Sequence, residues 1–154
     1  MKVRGLWLGI LFVAAFSACR PTKPVSQGLK GQVFWLEGNL MPQAGGTVSA
    51  PQEKDLRSPV ARRVVIHTLT TLDQLNVGDF LIGSIQTPRI AELETDENGR
   101  FEIELPIGAY SVFTVEEEGY FANVFDQYNH VNPIQVKEGE WTFLEIVVNY
   151  LAVY

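Results

Sequence analysis

Cysteine occurs once in these 154 residues, at Cys19, and histidine only twice, at His67 and His130. A single cysteine excludes a disulfide within the chain, so the fold must rest on packing and backbone pairing. The two histidines are far apart, and neither begins an H-x-x-E or H-E-x-x-H pattern. A zinc peptidase would therefore lack its ligand set. No Gly-x-Ser-x-Gly elbow is present to carry a serine nucleophile. Basic residues are scarce, 12 against 18 acidic ones, and an acidic surface repels nucleic-acid phosphates and anionic headgroups. Long hydrophobic runs are missing too. The most apolar stretch, residues 6–16, is well short of the roughly 20 residues a spanning helix needs.

That stretch has another meaning. Lys2 and Arg4 precede it, Ser17-Ala18 and Cys19 follow, and the chain then turns polar and proline-containing through Arg20-Pro21-Thr22-Lys23-Pro24. A charged start, a short apolar segment and small residues at a cut form the order of a secretory signal peptide. Phe16-Ser17-Ala18-Cys19 resembles the lipobox of bacterial lipoproteins, with Phe16 where that family usually has leucine. The resemblance implies a signal peptide over 1–18, fatty acylation (palmitate) of Cys19, and a linker over 19–27. The partner it implies is a lipid bilayer reached through acyl chains, each buried CH₂ contributing about 0.8 kcal/mol. Residues 1–18 hold two of the basic residues and none of the acidic ones, so the mature chain has 10 against 18, a net charge of −8. No acidic pair follows Cys19, which points to an outer-membrane anchor facing the periplasm, with the cell surface as the alternative.

Residues 28–154 carry β-type runs separated by Gly, Pro, Asn and Asp. Strands are expected over 29–36, 46–50, 61–69, 80–85, 89–94, 100–105, 109–116, 121–125, 134–137 and 141–153. In 100–105, Phe101, Ile103 and Leu105 alternate with Arg100, Glu102 and Glu104, the period of a half-buried strand. In the last run Leu144, Ile146, Val148 and Tyr150 share a face opposite Glu145 and Asn149. One helical turn is expected at 72–76, where Thr71 and Gln74 fit a capping box and Leu72 and Leu75 would pack inward. Short strands at this spacing indicate an all-β antiparallel sandwich.

Four spaced elements carry a second resemblance: Gly31-Gln32-Val33; Pro42-Gln43-Ala44-Gly45 with Val48; Thr95-Asp96-Glu97-Asn98-Gly99-Arg100-Phe101; and Leu105-Pro106-Ile107-Gly108-Ala109-Tyr110. Together they resemble the carboxypeptidase regulatory-like domain. The resemblance implies a transthyretin-like (prealbumin-like) Greek-key β-sandwich in an extracytoplasmic setting, without implying peptidase activity. In physical terms, Asn98-Gly99 supplies positive-φ positions for a hairpin and Asp96 caps it. Gly108 permits a reversal, and Tyr110 points its ring inward with its hydroxyl near the rim. Compared with the family pattern, 49–94 is long enough to be an insertion. The segment from Gly119 through Tyr154 is similar to that of small bacterial lipoproteins bearing this domain.

The chemistry-bearing residues are few. His67 is expected on a strand facing the rim and His130 in a solvated loop, so neither a metal nor another cofactor is expected. Asp96, Glu97 and Asn98 are better explained by a turn than by calcium. Glu102 and Glu104 form a strand face, and Glu116-Glu117-Glu118 a solvated turn. Some sandwiches of related shape carry a Lys–Asn crosslink, but Lys30 falls on the face opposite Leu29 and Val33. Thr114 also stands where a promoting acid is needed, so a bond from Lys30 to Asn149 is rejected. Tyr120, Phe121, Phe125 and Tyr128 lie close together among amides and acids. Phe121 and Phe125 share parity and belong to the core, leaving Tyr120 and Tyr128 as contacts for a ligand or partner.

The expectation is a non-catalytic lipoprotein, structural or binding an envelope protein. The alternative is a carbohydrate-binding accessory lipoprotein of a glycan uptake system, and an enzyme has least support. A concave row of exposed rings would favour the glycan, and an exposed apolar patch a protein partner.

Overall fold

A computed structural model of the chain describes residues 26–41 and 53–153. The signal segment, Cys19 and its linker through residue 25, the strand expected at 46–50, and the Pro42–Gly45 and Val48 elements lie outside the described residues. Nearly all the regular structure is β, arranged as two sheets packed together.

The first sheet contains β1 (Gly28–Asn39), β2 (Ser58–Pro59), β7 (Arg100–Glu104) and β11 (Trp141–Val153). The second contains β3 (Arg63–Thr68), β4 (Leu75–Val77), β5 (Ile82–Ile85), β6 (Arg89–Glu94), β8 (Gly108–Glu116), β9 (Gly119–Phe121) and β10 (Pro133–Val136). Strand order in the second is β4-β5-β9-β8-β3-β6, with β10 joining β8. Among the described residues every strand pairing but one is antiparallel. The exception is β1 with β11, which run parallel from Gly28↔Trp141 to Asn39↔Val153.

The alternation in β7 holds, with Phe101 and Leu105 buried and Arg100, Glu102 and Glu104 exposed. It faces a core of Leu29, Val33, Val64, Ile66, Ile146 and Val148 between the sheets. Each such side chain contributes about 1.5–3 kcal/mol on full burial. The second sheet is buried on its other face as well. Val65 and Phe113 pack there with Leu75, Ile82 and Val131, which is why β8 is apolar in both parities rather than alternating.

The turn expected before β7 forms, but it closes no hairpin: β6 pairs with β3 in the second sheet and β7 with β1 in the first, so the turn carries the chain from one sheet to the other. Asp96 Oδ1 accepts the Asn98 and Arg100 N–H groups at 2.9 and 2.7 Å, and only Gly99 has positive φ, +71°. Gly108 has no positive φ. A Cβ there would instead meet the Tyr110 hydroxyl at 3.1 Å, and that hydroxyl donates to Pro106 O at 2.9 Å. The capping box at Thr71 and Gln74 is present on a short 3-10 turn, Leu72–Gln74, but it leads directly into β4. Leu75 is buried, whereas Leu72 is 41% exposed.

The largest departure is at β9, which ends at Phe121 instead of continuing to 125. The cause is Asn132, buried and with φ of +41°. Its carbonyl accepts Val112 N–H at 3.3 Å and its side-chain amide donates to Val112 O at 3.0 Å. Asn132 thereby takes both backbone groups of β8 that a longer β9 would have used, and β10 takes over the pairing from there. The displaced segment leaves Phe125 half-exposed, at 50%, rather than in the core.

Candidate functional site

The parallel register of β1 and β11 defines two ends of the sandwich. At one end Gly28 meets Glu104 and Trp141, Gln27 O accepts Leu105 N–H, and Glu140 O accepts Gly28 N–H. At the other, Val153 O accepts Leu40 N–H, and Tyr150 approaches Glu116 at the end of β8.

A groove of about 480 Å³ opens at this second end, between the β4–β5 hairpin and the last residues of β11. Phe80 and Leu151 form apolar walls, Tyr150 closes the back, and Asp79, Glu118 and Asn76 bring polar atoms to it. Gly78 N–H donates to Leu81 O at 2.8 Å, closing a turn that holds Phe80 at its tip, 74% exposed. Leu151 in the groove, and Val77 and Val153 on the adjoining stretches of β4 and β11, are each more than half exposed.

Behind Tyr150 the groove is braced. The Tyr150 ring stands edge-on to Trp35 at 5.4 Å and tilted against Phe121 at 5.8 Å. Its hydroxyl donates to Glu116 Oε2 at 3.4 Å. Burial pushes the Tyr150 pKa up, with the Glu116 charge adding to it. Glu116 is not part of a solvated turn. It is buried, receives Arg62 Nε at 3.1 Å and Thr114 Oγ1 at 2.9 Å, and the Arg62 guanidinium lies 5.4 Å from the Trp35 ring centre. A buried carboxylate persists only with such partners. Only Glu117 and Glu118 remain exposed.

The two tyrosines expected as contacts do not line this groove. Tyr120 is half-buried, paired with Ile82 and packed on the second core cluster. Tyr128 is 67% exposed on a turn held by Asp126. Cys19 lies outside the described residues. Phe80 and Tyr150 were placed within strands by sequence, and neither was singled out as a contact. The signal that could have found Phe80 is Gly78-Asp79 immediately before it, which marks a turn and puts a large ring at its tip.

His67 is buried instead of facing the rim. Its Nδ1 donates to Thr87 O at 2.8 Å and its ring stands edge-on to Phe113 at 5.7 Å. Burial lowers its pKa; the Thr87 bond opposes this and the Arg89 charge adds to it. Thr70, Thr87 and Ser111 join it in a closed hydrogen-bond set. His130 is not freely solvated either: its Nδ1 lies 2.7 Å from Asp126 Oδ2. Burial acts to raise the Asp126 pKa, but hydrogen bonds from the His130 ring and the His130 and Tyr128 backbones outweigh it, so the net shift is downward. Lys30 aligns with Phe143, well along the strand from Asn149, whose amide oxygen accepts Asn123 Nδ2 at 3.1 Å. Among the described residues, no three His, Cys, Asp or Glu side chains converge as metal ligands.

A second hollow, about 380 Å³, lies on the outer face of the first sheet over Lys30, Gln32, Arg100, Glu102 and Phe143. It mixes charges of both signs and presents one exposed ring. The groove at Phe80 is the better candidate because apolar surface converges on it from two elements. Comparison with protein-family models, with curated proteins and with solved structures finds no match to this chain.

Proposed function

We propose that this chain is a lipid-anchored, non-catalytic binding module of a bacterial envelope, held to the membrane by acylated Cys19 and presenting the Phe80 groove to another envelope protein. The supporting observation is the parallel pairing of β1 with β11. β1 is 12 residues long, which at about 3.3 Å per residue makes roughly 40 Å of strand. A linker entering at Gly28 therefore joins the sandwich at the end opposite the groove, about 30 Å from it, because Leu151 aligns with Glu37, nine residues on from Gly28. The nine peptide units from Cys19 to Gly28 extend at most ~30 Å. The apolar surface belongs to the end turned away from the bilayer.

An outer-membrane anchor facing the periplasm fits the residues after Cys19. The carbohydrate-binding reading has less support. Among the described residues the exposed rings are Phe80, Phe143, and Phe125 with Tyr128 in the β9–β10 connection, and of these only Phe80 lines the groove.

Co-purification from gently solubilised membranes tests the proposal. Phe80→Asp should lose a protein that the wild type retains, while both remain in the membrane fraction. Identical sets of co-purifying proteins would refute it.

A further inference from the structure

Resting on that reading, we infer that the groove takes an extended segment of the partner in which an apolar side chain is flanked by lysine or arginine. The lining contains two acids, Asp79 and Glu118, and no basic residue. Neither acid forms an ion pair among the described residues, unlike Glu92, Glu94, Glu116 and Glu145 on the same molecule. Glu117 stands next to Glu118 and is exposed, so negative charge is concentrated on one lip. Between the lips the surface is apolar, with Phe80 on the hairpin and Leu151 on β11.

A ligand matching both features inserts an aliphatic or aromatic side chain between Phe80 and Leu151. Its cationic head groups then stay at the wet rim beside Asp79 and Glu118. Long basic side chains suit this because their stems cover apolar surface while the charge remains hydrated. An anionic ligand would be repelled from the same lip.

The extended form follows from the wall. Gly78 and Gly83 both line the groove. At Gly83 an added Cβ would meet only Asn76, with its side-chain Nδ2 3.6 Å away in ordinary contact. Glycine in a strand marks a place where another backbone can come close, and Asn76 offers an amide to it. Main-chain contact with alternate side chains in pockets is how extended peptides are usually held.

Fluorescence anisotropy of the purified full chain in detergent tests this with three labelled hexapeptides, alternating Lys/Leu, Glu/Leu and Lys/Gly. The Lys/Leu peptide should bind about tenfold more tightly than the other two, and less tightly in about 0.5 M salt. Asp79→Asn with Glu118→Gln should abolish most of that preference, and Phe80→Ala should weaken Lys/Leu binding to the level of Lys/Gly. Glu102→Gln with Glu104→Gln, remote from the groove, should change neither.

Equal binding of the Glu/Leu peptide would overturn the inference. So would binding insensitive to Asp79 and Glu118, displacement by a neutral hexasaccharide, or no binding of any probe. If the peptides fail while Phe80→Asp still loses a co-purifying protein, the groove docks a partner of different chemistry and only the present inference falls.

Discussion

Arg62 Nε lies 3.1 Å from Glu116 Oε2, and the Glu116 side chain is only 2% exposed while that of Arg62 is 25% exposed. The pair joins the end of β8 to the approach to β3. Through Tyr150 and Trp35 it also braces the back of the groove. Removing one partner strands a buried charge, which costs more than the pair contributes net.

Arg62→Ala should therefore destabilise the protein by about 2–3 kcal/mol, below the fully buried range because Arg62 is partly solvated. Glu116→Ala should cost a similar amount, and the double variant clearly less than the two combined. Urea unfolding of the four proteins is the measurement. Additive losses would show that the two side chains are not coupled.

Asn132 makes a second testable junction. Asn132→Ala removes a buried donor to Val112 O and the acceptor at 2.9 Å for Val124 N–H, and puts alanine at φ of +41°. The expected cost is about 2–4 kcal/mol, together with faster hydrogen exchange at the Val124 amide. Unchanged exchange there would mean that Asn132 does not fix the handover from β9 to β10.

Most of the sandwich was legible in the sequence because its strands advertise themselves locally. β7 and β11 alternate, and the Asp96–Gly99 turn carries its own hydrogen-bonding residues. What was misread depends on partners distant in the chain. Glu116 looks solvated between two other glutamates, and its burial is decided by Arg62 and Tyr150. His67 looks like a rim residue until Phe113 and Thr87 cover the second face of its sheet. Phe125 has core parity, but Asn132 diverts the backbone before parity can apply. The groove was illegible for the same reason, since Phe80 and Leu151 come from opposite sheets and meet only in the fold. The parallel pairing of the first and last described strands likewise left no local trace.

Stability should fall as the pH drops below 6.5, the ordinary histidine value. Buried His67 has a lowered pKa, so below 6.5 the unfolded chain binds a proton that the folded protein refuses. The contribution is complete above that pH and declines towards the folded-state pKa. His67→Gln can still donate to Thr87 O and should show a smaller drop in urea midpoint between about pH 7.5 and 5.5. An equal drop in both proteins would assign the acid sensitivity elsewhere.

The anchor makes its own prediction. Cys19→Ser should lose labelled fatty acid and leave the membrane fraction, while the unfolding midpoint of the purified protein stays unchanged. Equal labelling of wild type and variant would remove Cys19 as the attachment point.

Site-specific photocrosslinking in intact cells bears most directly on a docking surface turned away from the membrane. A photoreactive side chain replaces either Phe80, in the groove, or Ile107, which is 57% exposed just before β8 at the tethered end. The Phe80 position should give a discrete protein adduct that disappears when Leu151→Asp is added, and the Ile107 position should give none. Protein adducts of equal yield from both positions, or none from Phe80, would contradict it.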